Sequence, residues 1–122
     1  MRTSAREVGR EGEDVAWRYL SKKGYTLLAR NYRVPGGEVD LVVEKGRSLV
    51  FVEVKARNKA SADEALEAVD ERKRQRMAKA ARCFLQEYRG RASVFRFDVV
   101  AVVKGEGAYR VVHLPEAFEL EG

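Results

Sequence analysis

The sequence predicts an α/β domain with a mixed β-sheet flanked by helices. Three features of the chain point there. Apolar residues recur at three- and four-residue steps over two long segments. Five shorter apolar runs of strand length are bounded by glycine-bearing turns and polar stretches. A long helix separates the third run from the fourth, and such a crossover implies one parallel pair in an otherwise antiparallel sheet. With 122 residues, the chain is expected to form one domain over 1–122. That length buries a core without staples.

Residues Ser4 to Lys23 read as the first helix. Its stripe is Ala5, Val8, Gly9, Gly12, Ala16, Tyr19 and Leu20. Much of that stripe is small, which suggests close approach to another element. Gly24 ends the helix as a C-terminal cap. Tyr25 to Arg33 reads as a strand, Pro35-Gly36-Gly37 as a turn, Glu38 to Glu44 as a second strand, and Ser48 to Ala56 as a third after the tight turn Gly46-Arg47. A polar loop spans Arg57 to Ala62. Asp63 to Arg89 is mostly helical, with Asp70 a candidate N-cap for a fresh helix whose stripe is Met77, Ala81, Phe84, Leu85 and Tyr88. Gly90 stops it. Val94 to Val103 is a long strand, and Gly105-Glu106-Gly107 turns into a last one, Tyr109 to Leu114, leaving about 115–122 as a loose tail.

The formal net charge is +5, and arginine outnumbers lysine two to one. Guanidinium forks match phosphate oxygens, which suits a nucleic-acid partner; a solvated surface in an arginine-favouring organism is the plainer account. A lone cysteine, Cys83, rules out an intrachain disulfide and fits a reducing, cytoplasmic setting. A lone histidine, His113, leaves no finger-type zinc site. No apolar region follows Met1-Arg2-Thr3-Ser4, so no signal peptide is expected, and the run Val99 to Val103 is too short for a membrane span.

The second and third strands hold the chemistry. If Gly46-Arg47 is a two-residue hairpin loop, Lys45 faces Ser48. Counting back puts Asp40 opposite Glu53 and Glu38 opposite Lys55, all four on one face. The other face carries Val39, Leu41 and Val43 against Val50, Val52 and Val54. Two carboxylates paired across a ladder repel each other. Such a pair either holds a hard divalent ion such as Mg²⁺ or belongs to a surface charge ladder in which Glu38–Lys55 is an ordinary ion pair.

The run Gly37-Glu38-Val39-Asp40, followed after a hairpin by Glu53-Val54-Lys55, resembles the PD-(D/E)XK nuclease signature. The resemblance implies a restriction-endonuclease-like αβββαβ core. It also implies a site made of the strand-borne Asp40, the Glu53-x-Lys55 pair and a first-helix carboxylate, Glu13. The match is closer to the YraN-like family of small bacterial proteins within that superfamily. It runs through Gly12-Glu13-Asp14-Val15-Ala16, Gly24-Tyr25, Arg30-Asn31-Tyr32-Arg33, Gly37 to Val42, Phe51 to Arg57, Val69 to Lys73 and Arg96-Phe97-Asp98-Val99-Val100. It departs after Arg57, where Ala60-Ser61-Ala62 replaces the family's frequent aromatic-glycine pair.

On this resemblance Asp40 and Glu53, with the Val54 carbonyl, would hold Mg²⁺ or Mn²⁺, and Lys55 would orient water or stabilise developing negative charge. Glu13 would bind metal directly, through water or at a second ion; its plainer role is a carboxylate favoured by the helix dipole. Lys73, Arg57, Arg33 and Arg76 are the candidate nucleic-acid contacts, Lys73 being otherwise a snorkelling edge residue. Asp98 reads as structural, paired with an arginine. Trp17 and Tyr19 offer rings on which bases could stack, although helical aromatics more often belong to the core. The expected function is a metal-dependent endonuclease or phosphodiesterase on nucleic acid, DNA favoured over RNA. The alternatives are a non-catalytic nucleic-acid-binding module of the same fold and a protein-interaction domain. The oligomeric state stays open, a dimer being one option, and no membrane partner is expected.

Overall fold

Helix and strand order follow the apolar periodicities closely. The structure, a computed structural model, describes residues 5–58, 69–105 and 107–118. Helix α1 (Ala5–Lys22) leads into strands β1 (Thr26–Val34), β2 (Gly37–Lys45) and β3 (Ser48–Asn58). Helix α2 (Glu71–Glu87) then crosses to β4 (Val94–Lys104) and β5 (Tyr109–Phe118). The single sheet has the order β1-β2-β3-β4-β5, with β3 and β4 parallel and the other neighbours antiparallel. This is the restriction-endonuclease-like arrangement, a mixed sheet with a helix on each face. The helical expectation over 63–68 and the Ala60-Ser61-Ala62 loop lie outside the described residues. Asp70 caps α2 as expected, its side chain accepting the Lys73 backbone N–H at 2.9 Å. Among the described residues no helix is long and apolar enough to cross a membrane.

Each face of the sheet is a core. Leu41, Val43, Val50, Val52, Val100 and Val102 bury against Ala16 and Leu20 of α1. Val39, Val42, Leu49, Phe51, Phe97 and Val99 bury against Met77, Ala80 and Ala81 of α2. The expectation that Val39 shares a face with Leu41 and Val43 is therefore wrong. Strict alternation breaks at Asp40, opposite a left-handed residue in β1, Asn31 (φ 52°). A local break in a ladder bends the strand and redirects the neighbouring side chains.

Two glycines let the helices come close. A Cβ at Gly12 would sit 2.8 Å from the Ala56 Cβ, so the small-residue stripe of α1 does mark close contact with β3. Gly37 is tighter against backbone: a Cβ there would lie 2.8 Å from the Arg76 carbonyl oxygen and 2.9 Å from the Ala80 nitrogen. Main chain cannot swing aside as a side chain can. Gly37→Ala is therefore expected to push α2 off the sheet and cost about 2–3 kcal/mol in a urea melt; an unchanged midpoint would show that α2 shifts freely.

The last strand runs further than the sequence suggests. The expected strand ends at Leu114, yet β5 continues to Phe118, whose buried ring stacks on Phe97 at 5.0 Å between centroids. β5 is an edge strand, where a proline without an N–H is tolerated. Glu116 takes a left-handed turn (φ 52°) and donates its N–H to the Asp98 Oδ1 at 3.0 Å. Asp98 is fully buried. It also accepts two hydrogen bonds from Arg96, at 2.9 and 3.0 Å, and lies 2.6 Å from the His113 Nε2. Burial alone would raise its carboxyl, but His113, Arg96 and the Glu116 N–H outweigh that and hold it below the usual range. Arg96 donates onward to the Tyr25 hydroxyl at 2.7 Å. Asp98 thus ties β4, β5 and the start of β1 together, the structural role read from the sequence.

Candidate active site

The site lies where the β2–β3 ladder stops. The two-residue turn sets Lys45 opposite Ser48, and the register holds through Leu41 opposite Val52. One step further the pairing ends. Asp40 and Glu53 do not form a regular cross-strand pair; the Asp40 carboxylate turns into the gap and its Oδ2 accepts the Val54 N–H at 2.8 Å. The strands separate at the point where two carboxylates would otherwise meet face to face.

Glu53 is withdrawn from water and Asp40 is partly so. Glu53 is 3% exposed. Burial, and then repulsion from Glu53, push the Asp40 carboxyl up to about 7. Lysines supply the local countercharge. The Lys55 Nζ lies 3.3 Å from the Glu53 Oε1. From the first turn of α2, the Lys73 Nζ reaches the Glu38 Oε1 at 3.1 Å and the Glu53 Oε2 at 3.4 Å. That second approach is too poorly aligned for a hydrogen bond, so the Glu53 Oε2 is buried without a hydrogen-bond partner among the described residues. Burial would lower the Lys73 ammonium, but Glu53, Glu38 and Asp40 overcome this and raise it, so it stays charged.

Glu38 is not the partner of Lys55, as simple counting proposed. It meets Lys73, Arg33 (3.8 Å) and Arg76 (3.8 Å), and its hydrogen bond from Lys73 draws its carboxyl below the usual range. The ladder that would have faced Glu38 with Lys55 has already ended. Of the four basic candidates, Arg33, Lys73 and Arg76 converge on this carboxylate. Arg57 does not; it is exposed at the end of β3 and bonds the neighbouring Ala56 carbonyl at 3.0 Å.

Glu13 reaches the site's edge from α1. Its Oε1 accepts from the Asn31 Nδ2 at 3.0 Å and from the Arg30 Nε at 3.4 Å, while Arg30 also pairs with Asp14 at 2.7 Å. Its charge contributes to raising the Asp40 carboxyl. The sequence reading gives Asn31 no role of its own. A signal was available, since asparagine is among the few non-glycine residues that tolerate φ above zero, and here it both marks the break opposite Asp40 and orients Glu13.

The donor set fits a hard divalent ion. Two carboxylates, one with an orphaned oxygen, lie beside the backbone of Val54, and Mg²⁺ is commonly held by one or two carboxylates completed by water and phosphate oxygens. Among the described residues no group of three or more His, Cys, Asp or Glu side chains could hold a metal ion unaided. Glu13, restrained by Asn31 and Arg30, stands outside the Asp40–Glu53 pair.

Residues 12–102 match the model of a protein family described as "Uncharacterised protein family UPF0102", the YraN-like family. The chain belongs to this family. All the candidate residues, from Glu13 to Arg76, fall inside the matched span. Among relatives, a UPF0102 protein of Anaeromyxobacter dehalogenans is 43% identical over 115 residues, covering 94% of this chain and 86% of its own. One from Desulforapulum autotrophicum is 41% identical over 122 residues, 99% of this chain and 100% of its own. One from Frankia casuarinae is 46% identical over 112 residues, 91% and 95%. UPF0102 relatives thus match across essentially the whole fold.

Proposed function

We propose that this chain is a divalent-metal-dependent phosphodiesterase acting on nucleic acid. The observation that carries the proposal is the Asp40–Glu53 pair: a buried and a partly buried carboxylate at the end of a ladder, the Glu53 Oε2 lacking a hydrogen-bond partner among the described residues. Asp40 and Glu53 repel each other, and a cation held between them would relieve that repulsion. Mg²⁺ or Mn²⁺ held by Asp40, Glu53 and the Val54 carbonyl would supply a more acidic water and neutralise charge on the phosphate. The Val54 N–H fixes the Asp40 carboxylate in place. Lys55, held beside Glu53, would stabilise negative charge developing on the phosphate. Arg33, Lys73 and Arg76 would dock the backbone, and Asn31 with Arg30 would hold Glu13 toward the site's edge.

A second reading has its own support. Lys55 and Lys73 already give both ends of Glu53 a countercharge. The cluster is therefore also compatible with a nucleic-acid-binding module that carries no metal and turns nothing over. A panel of duplex, single-stranded, branched-junction and RNA substrates, each with Mg²⁺, Mn²⁺ or chelator, separates the two. Metal-dependent cleavage of any member supports the enzyme. Binding without cleavage under every condition supports the module. In either case binding is expected to be largely independent of sequence and to weaken steeply with salt, because phosphate contacts dominate such affinities. Affinity flat across a salt series would remove Arg33, Lys73 and Arg76 as the docking surface.

A further inference from the structure

Glu38 is surrounded in a way that an ordinary surface ion pair is not. Three cations from two elements close on one carboxylate: Arg33 from β1, and Lys73 and Arg76 from α2. A carboxylate and a phosphate present similar oxygens to such donors. Lys73 is shared, since its ammonium contacts both Glu38 and the inward-facing Oε2 of Glu53. The Glu38 carboxylate therefore lies next to the Asp40–Glu53 centre, one lysine away. Capping holds the Lys73 backbone at the start of α2, which fixes where that side chain sets out toward Glu38.

We propose that Arg33, Lys73 and Arg76 form a subsite for the backbone phosphate next to the one at the Asp40–Glu53 centre, and that Glu38 fills that subsite in the free protein as an internal anion. The inference rests on the nucleic-acid reading above and adds a specific competitor to it. An incoming phosphate displaces the Glu38 carboxylate from the cations. Lys73 then bridges two successive phosphates, as it now bridges two carboxylates. The consequence is a built-in brake on affinity: every phosphate that docks must first replace an anion already present. Strands whose backbone cannot deliver two adjacent phosphates to the pair of sites do not release it.

The test is binding of a fluorescein-labelled DNA duplex without divalent metal, so that no cleavage intervenes, across a salt series. Wild type, Glu38→Gln, Arg33→Ala and the double variant are compared, with melting temperature as a check on folding. Glu38→Gln keeps the shape and removes the charge. It is expected to tighten binding on the order of tenfold and to steepen the salt dependence by roughly one phosphate contact. Arg33→Ala should weaken binding, and in the double variant the gain should shrink. If wild type binds and Glu38→Gln binds no better while folded, the internal-anion proposal is overturned and the nucleic-acid reading stands. If only Glu38→Gln binds, the subsite is upheld as a strongly braked one. Failure of every variant to bind overturns both.

Discussion

Lys55→Ala is expected to lower cleavage on the order of a hundredfold or more, the scale seen when one preorganised stabilising group is lost. Its structural cost is larger than that of a surface ion pair. Lys55 is mostly buried and sits 3.3 Å from the Glu53 Oε1. Without it, a nearly inaccessible carboxylate keeps, among the described residues, Lys73 at 3.4 Å as its one cation. Leaving a buried charge short of a partner costs about 2 kcal/mol, so the metal-free variant should melt earlier than the parent. Added Mn²⁺ should restore the melting temperature, because the ion takes over neutralisation of Glu53. It should not restore turnover. Calorimetry with and without Mn²⁺, together with turnover per folded molecule, separates the two effects. Activity that survives in the folded fraction would make Lys55 a strut and not a catalytic group.

Asp40→Asn should act in the opposite sense on stability. The amide oxygen can still accept the Val54 N–H, so the local backbone is kept. The charge that repels Glu53 is gone. In the parent, burial and Glu53 raise the Asp40 carboxyl to about 7, well above its ordinary 3.8. A group raised in this way contributes its stability below the unfolded value and loses it as pH climbs through the folded one. The metal-free parent is thus expected to lose stability between about pH 4 and pH 7 through this group, while Asp40→Asn does not. The variant should match the parent in mild acid and melt several degrees higher at slightly alkaline pH in chelator. Divalent-ion binding should be abolished in the variant. In the parent it should strengthen as pH rises through neutrality, since the ion competes with the proton. A variant less stable than the parent at both pH values would show that the two acids are not in conflict.

Local rules made most of the fold legible. A two-residue turn at Gly46-Arg47 set the β2–β3 register correctly from Lys45–Ser48 to Leu41–Val52. A capping aspartate and a clean apolar stripe located α2. Counting by twos failed at Asp40 because it assumes an unbroken ladder, and this ladder breaks at the candidate site. The break moved Val39 to the α2 layer, freed Asp40 to take the Val54 N–H, and separated Glu38 from Lys55. The partners that replaced the expected ones are far apart in sequence. Glu38 with Lys73, and Glu13 with Asn31, join elements whose approach depends on how closely α1 and α2 pack, which Gly12 and Gly37 permit but do not specify. The extent of β5 was missed for a related reason: a strand's tolerance of a proline such as Pro115 depends on whether it is an edge, and only the completed sheet decides that.

If one divalent ion belongs between Asp40 and Glu53, its position can be read directly. The measurement is paramagnetic broadening of backbone amide signals when Mn²⁺ is titrated into isotope-labelled full-length protein. The signals of Asp40, Glu53 and Val54 should broaden first, at low ion-to-protein ratio, and Asp40→Asn should remove the effect. Broadening centred on other carboxylates, or unchanged by that substitution, would contradict the proposed metal site.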